Sequence, residues 1–149
     1  MGESFPLTGS RSVRVLVVDD DRSILESFKS ILRSKGYSVE AVESGREAIE
    51  RSKAQVFDVA LLDIKLEDME GTKLLTTLHE DLPRMVKIMI TGYPELENAI
   101  EALNMGADGY VIKPVKAEDL LKVVGEKVKE RGEAEEKYEV RRILKSWRK

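Results

Sequence analysis

The chain has 149 residues, of which 42% are hydrophobic and 36% charged, with a formal net charge of −3; that length supports one buried core and one domain. The charge gives no support to nucleic-acid binding by the chain as a whole, and no apolar run reaches the roughly 18 to 20 residues of a membrane span. The start, Met1-Gly2-Glu3-Ser4-Phe5-Pro6, lacks the basic and apolar stretches of a signal peptide, and the absence of cysteine fits a reducing compartment, so a cytoplasmic location is expected.

Residues 1–12 mix Gly, Ser, Pro and Thr without period and read as a flexible lead. Val13 to Val18 is β-branched and nearly all apolar, as suits a strand buried on both faces of a parallel sheet. Ser23 followed by Glu26 makes a capping-box pattern, and Ile24, Leu25, Phe28, Ile31 and Leu32 recur at helical spacing until Gly36. Ser38 to Val42 reads as the second strand, and Ser44-Gly45-Arg46-Glu47 as a second capping box opening a helix to Ala54. A third strand, Val59 to Leu62, precedes a helix from Gly71 to Glu80. Then follow a strand at Val86 to Ile90, a helix from Pro94 to Met105, a strand at Gly109 to Ile112 and a last helix starting near Lys116. Five strands alternating with five helices predict an α/β domain, a doubly wound five-stranded parallel sheet with helices on both faces.

In such a sheet, ligands bind beyond the carboxyl ends of the strands. The chemistry-bearing residues gather there: Asp19, Asp20 and Asp21 after the first strand, Asp63 after the third, Thr91 after the fourth and Lys113 after the fifth. Carboxylates brought within a few ångströms must either hold a proton or share a cation. Oxygen donors suit Mg²⁺, whereas a chain with no cysteine and a single histidine is poorly equipped for zinc or iron. Asp21 reads as an acid supporting the N-terminus of the first helix, His79 as a solvated surface residue, and Asp58 and Asp108 as loop residues.

The segments VLVVDDDRSI, ALLDIKLEDMEG, IMITGY and GADGYVIKPV, in this order, resemble the receiver domain of two-component response regulators, over roughly Val13 to Val128. The resemblance implies a flavodoxin-like (βα)5 fold. It implies that Asp63 accepts a phosphoryl group from a sensor histidine kinase or phosphotransfer protein, and that Asp19, Asp20, Asp63 and the backbone carbonyl of Lys65 hold Mg²⁺. Lys113 supplies counter-charge to Asp63 and then to the acyl phosphate, and the bond from Lys113 to Pro114 is cis in the family. Thr91 and Tyr110 are similar to the switch pair that reports phosphorylation and remodels the face made by the fourth helix, fifth strand and fifth helix. Glu67 departs from the pattern, since many receivers carry proline there; a looser or differently charged loop bears on metal affinity. On this reading the chain is a phosphoacceptor signalling domain rather than an enzyme, with self-phosphorylation and autodephosphorylation its only chemistry.

Two rival readings share parts of this pattern. VLVVDDDRSI also resembles the strand-end motif of haloacid-dehalogenase-like phosphatases, with Asp19 as nucleophile and Asp21 as acid/base, but that scheme leaves Asp63 and the Lys113-Pro114 pair unexplained. A flavin- or nucleotide-binding module lacks its glycine-rich loop here, and the acidic first loop would repel a bare phosphate.

Residues 129–149 form a separate charged element. From Gly125 to Lys149 there are nine Lys and Arg against six Glu, a local +3, which leaves −6 for residues 1–124. Val140, Ile143, Leu144 and Trp147 fall at i, i+3, i+4 and i+7, one apolar helical stripe. It packs on its own domain, joins a second copy as a short coiled coil, leads to an output domain, or is a solvated extension of the fifth helix; a dimer or linker role is preferred. A homodimer through this helix, or through the face of the fourth helix, fifth strand and fifth helix, is the expected self-association. No direct nucleic-acid contact is expected.

Overall fold

A computed structural model describes residues 12–92 and 101–147. Its elements are β1 (Arg14–Val18), α1 (Arg22–Arg33), β2 (Ser38–Val42), α2 (Gly45–Ala54), β3 (Val59–Asp63), α3 (Gly71–Asp81), β4 (Val86–Thr91), the helical residues 101–104 (α4), β5 (Gly109–Ile112) and α5 (Ala117–Trp147). The expected start of the fourth helix at Pro94 lies outside the described residues. All five strands are parallel, in the order β2-β1-β3-β4-β5.

Because side chains alternate across a strand, the central strands divide their apolar residues between two layers. Val15, Val17, Val59, Leu61, Ile88 and Ile90 pack with Leu25, Phe28 and Leu32 of α1 and with Leu120 and Val124 of α5. Leu16, Val18, Ala60, Leu62 and Met89 pack on the other side with Ala48 of α2, Leu74, Leu75 and Leu78 of α3, and Ala102 of α4. The sheet is thus covered on both faces, which is why β1, β3 and β4 read as continuous apolar runs rather than alternating ones.

One local expectation is corrected. Ser23 does not cap the first helix: α1 begins at Arg22, two residues earlier than a Ser23 cap would set it, and Asp21 is its cap, with its carboxylate accepting from the backbone N–H groups of Ser23 and Ile24 and from the Ser23 hydroxyl. Aspartate and serine cap equally well, so the extended backbone at Asp21 decides between them. Ser44 does cap α2, accepting from the Glu47 N–H at 3.1 Å.

A charge sits inside the core. Lys87 on β4 is fully buried, and its ammonium donates to the carbonyls of Leu82 at 3.0 Å and Met85 at 2.6 Å, closing the end of α3. Burial pulls this lysine below its ordinary pKa; the nearby Asp108 charge opposes the shift and Arg131 adds to it.

Past residue 128, α5 continues without a break, and every residue from 132 to 147 is exposed. The terminal stripe therefore does not pack on its own domain. Among the described residues no helix is long and apolar enough to cross a membrane.

Candidate functional site

Parallel register brings the strand ends to one rim. Val18 pairs with Leu62, Asp63 with Ile90 and Thr91 with Ile112, so Asp19, Asp63, Thr91 and Lys113 all leave the sheet at the same edge. Asp63 and Thr91 are the last residues of their strands rather than the first beyond them. Both are buried, as is Asp19.

Lys113 ties the rim together. Its Nζ donates to Asp19 Oδ2 at 2.9 Å and lies 3.6 Å from Asp63 Oδ1, and its backbone N–H donates to the Thr91 carbonyl at 2.7 Å. The peptide bond from Lys113 to Pro114 is cis. Asp19 is fixed from its other oxygen as well, since Oδ1 accepts from the Asp21 N–H at 2.9 Å. Lys65, exposed in the loop after β3, directs its N–H to Asp63 Oδ1 at 3.4 Å.

Oxygens of Asp19, Asp20 and Asp63 lie within 4.8 Å of one another. Burial, followed by the Asp19 charge, pushes the Asp63 carboxyl above its ordinary pKa; Lys113 and the Lys65 N–H pull the other way, and Asp20 adds to the rise. Lys113 is held above its own ordinary value: burial works to lower it, but the hydrogen bond and charge of Asp19, with Asp63, prevail. Three carboxylates answered by one ammonium remain short of positive charge. A hard divalent cation with oxygen ligands fits that donor set.

Tyr110 stands three residues before Lys113 on β5, paired with Met89 and half-buried against the core layer of α2, α3 and α4. Thr91 is buried on the neighbouring strand. Asp21 is engaged as the α1 cap, and those hydrogen bonds hold its carboxyl below the ordinary range, with Ser23 the main cause. A carboxylate so occupied is not placed as the acid/base that the phosphatase reading required.

The loop carrying Glu67 is fastened rather than loose. Asp68 accepts from the backbone N–H groups of Gly45 and Arg46, both at 2.9 Å, and so adds a cap to α2 from across the site. Sequence reasoning missed Asp68, because its partners are 22 and 23 residues away. Gly71 closes the same loop: a Cβ there would meet the Asp63 carbonyl oxygen at 2.3 Å, so only glycine permits this approach. His79 is exposed as expected, with its ring lying against Gly106.

A family model described as the response regulator receiver domain matches residues 15–125, and the chain belongs to that family. It is a receiver domain of two-component signal transduction, which sets the phosphatase alternative aside. Among solved structures it is similar to a CheY-like response regulator receiver domain protein from Methanospirillum hungatei, at 47% identity and a TM-score of 0.81, covering 83% of this chain and 99% of that one. The beryllofluoride-activated NtrC4 receiver domain dimer is 34% identical, with a TM-score of 0.76 over 79% of this chain and 98% of that one. The transcriptional regulatory protein ZraR of Escherichia coli is 38% identical over 109 residues, 73% of this chain and 25% of that protein. The chain thus spans about a quarter of the length of this curated relative.

Proposed function

We propose that Asp63 is the phosphoacceptor of this receiver, taking a phosphoryl group from a phosphohistidine on a sensor histidine kinase or phosphotransfer protein. The observation that carries this reading is the Lys113 ammonium set between Asp19 and Asp63 at the carboxyl rim of the sheet. An Asp63 oxygen attacks phosphorus, the bond from phosphorus to the donor imidazole breaks, and an aspartyl phosphate forms while the imidazole leaves. Lys113 pairs with the Asp63 carboxylate beforehand and with a phosphoryl oxygen afterwards. Asp19 holds Lys113 in place and, with Asp20, Asp63 and the Lys65 carbonyl, provides the oxygen ligands for Mg²⁺. When bound, that ion neutralises charge on the transferred phosphoryl oxygens.

The product carries about −1.5 to −2 charges and new acceptor oxygens. In this reading the Thr91 hydroxyl is drawn to them, Tyr110 moves into the space behind it, and the face of α4, β5 and α5 shifts its equilibrium. The domain is a signalling element whose only turnover is its own phosphorylation and dephosphorylation, in the cytoplasm. Residues 1–12 serve as a lead, 13–128 as the receiver body and 129–149 as a helical extension. A second copy is a further partner, met through the extension or through the α4–β5–α5 face. The ZraR relative is named for transcriptional regulation, but the charge of −6 on residues 1–124 argues against direct DNA contact by this receiver body.

Incubation with acetyl phosphate and Mg²⁺, followed by mass mapping, tests the central step. One phosphoryl group is expected on Asp63, lost in Asp63→Asn and on chelation of the metal. Modification absent from the wild type, or mapped elsewhere, sinks the reading.

A further inference from the structure

We propose that Asp68 is a positioning residue for the metal site: by fastening the loop between β3 and α3 to the start of α2, it keeps Lys65 beside the acidic rim and so sets the affinity for Mg²⁺. This role rests on the ligand set proposed above and deepens it.

The proposed oxygen donors are placed by different means. Asp63 ends β3, and Asp19 directly follows β1 with both of its carboxylate oxygens engaged, so the sheet itself sets them. Lys65 is placed by its loop instead. It is exposed, and its N–H reaches Asp63 Oδ1 at 3.4 Å, longer than the usual range for such a bond. A backbone carbonyl has no side-chain torsion to adjust it. Its position is that of the loop.

That loop is closed at its base and latched at its tip. At the base, Lys65 and Glu70 face each other in an antiparallel bridge, and the Gly71 N–H donates to the Ile64 carbonyl at 2.8 Å. At the tip, the two Asp68 carboxylate oxygens accept one N–H each, from Gly45 and from Arg46, both at 2.9 Å. Met69 lies beside this latch, so close over Gly45 that a Cβ there would meet its sulfur at 2.5 Å. The base gives the loop its shape. The tip fixes where that shape lies against the neighbouring helix.

The start of α2 suits this task because it is also tied to the other acidic loop. The Asp19 N–H donates to the Val42 carbonyl at 3.2 Å, and Arg22 pairs with Glu43 at 3.0 Å. Residues 42–46 therefore bond both loops that carry proposed ligands and space one from the other. The ties differ in strength. The Arg22 and Glu43 side chains are 82% and 45% exposed, and an ion pair so open to water contributes little. Asp68 meets two amides already fixed at a helix N-terminus, in charge-assisted bonds that the helix dipole favours.

Amide NMR of the full chain during Mg²⁺ titration, in salt high enough to screen a single exposed charge, reads the affinity. Asp68→Ala should raise the Mg²⁺ dissociation constant about tenfold, as loss of a group that orients a ligand commonly does. Asp68→Asn should fall between this variant and the wild type, since one amide oxygen still accepts. Two controls isolate position from charge and from helix capping. Glu67→Gln removes an equal charge from the same loop and leaves the Asp68 bonds in place, while Ser44→Ala removes the cap on the Glu47 N–H and leaves the loop in place. Each should change the constant by about twofold at most. With acetyl phosphate, uptake on Asp63 by Asp68→Ala should be slow at low Mg²⁺ and return to the wild-type rate at saturating Mg²⁺. An unchanged constant in Asp68→Ala, an equal loss in either control, or a rate that stays low at saturating Mg²⁺ overturns the positioning role and leaves the ligand set standing. Mg²⁺ that does not shift the amides of Asp19, Asp20, Asp63 and Lys65 in the wild type overturns both together.

Discussion

Lys87 and Lys113 are both drawn out of water, at opposite ends of one sheet, and their surroundings drive them in opposite directions. The Lys87 ammonium meets two neutral carbonyls, Leu82 and Met85, so burial dominates and its pKa falls. Lys113 suffers the same burial, but Asp19 at 2.9 Å and Asp63 at 3.6 Å outweigh it and its pKa rises. The first lysine completes the end of a helix and has no further role to give up. The second compensates carboxylates that remain in excess, a donor set that could hold a cation.

Truncation at the structural end should cost the most stability. Lys87→Ala removes a buried stem and leaves two carbonyls without their donor, for a loss of about 3 kcal/mol in denaturant unfolding. Phosphoryl uptake at Asp63 by the molecules that remain folded should be unchanged; loss of uptake in that folded fraction would break the division between the two ends.

At the rim, Lys113→Ala should destabilise less, by about 1 to 2 kcal/mol in chelator, because the pair it breaks is partly open to solvent. Mg²⁺ should then raise the melting temperature of this variant more than that of the wild type, since the ion meets carboxylates with no remaining counter-charge. An equal or smaller rise would mean that the ammonium was not compensating them.

The smallest effect has the opposite sign. Asp63 has a raised pKa in the fold, so its ionised form is a burden at neutral pH, and Asp63→Asn should stabilise the metal-free protein by on the order of 1 kcal/mol. The gain is full above the folded-state pKa of Asp63. It fades as pH falls through that value and vanishes below the ordinary aspartate value of 3.8, where the wild-type carboxyl is protonated in both states. Melting curves across acid pH in chelator check it; a gain that grows on acidification would contradict the sign.

Legibility in the sequence followed the range of each interaction. β1, β3 and β4 announced themselves because strands buried on both faces are continuous apolar runs, and the rim residues because each sits at or beside a strand end. Lys87 did not, since nothing in VKIMI says that a lysine will fold back onto the end of α3. Asp68 was hidden by distance along the chain, and the α1 cap by a local tie between Asp21 and Ser23. The tail's stripe was visible as a period, while its lack of cover by the body appeared only with the packing of α5.

Local chemistry written along the chain therefore determined the element order, the parallel sheet and the set Asp19, Asp20, Asp63, Thr91 and Lys113, because periodicity and strand-end position are properties of short segments. Tertiary structure alone decided which carboxylate Lys113 grips more closely, that Asp68 fastens the loop beside Asp63, and that the last four turns of α5 leave the body with their apolar stripe uncovered. Those outcomes depend on distances between residues far apart in the chain, and such distances exist only after the two layers have packed.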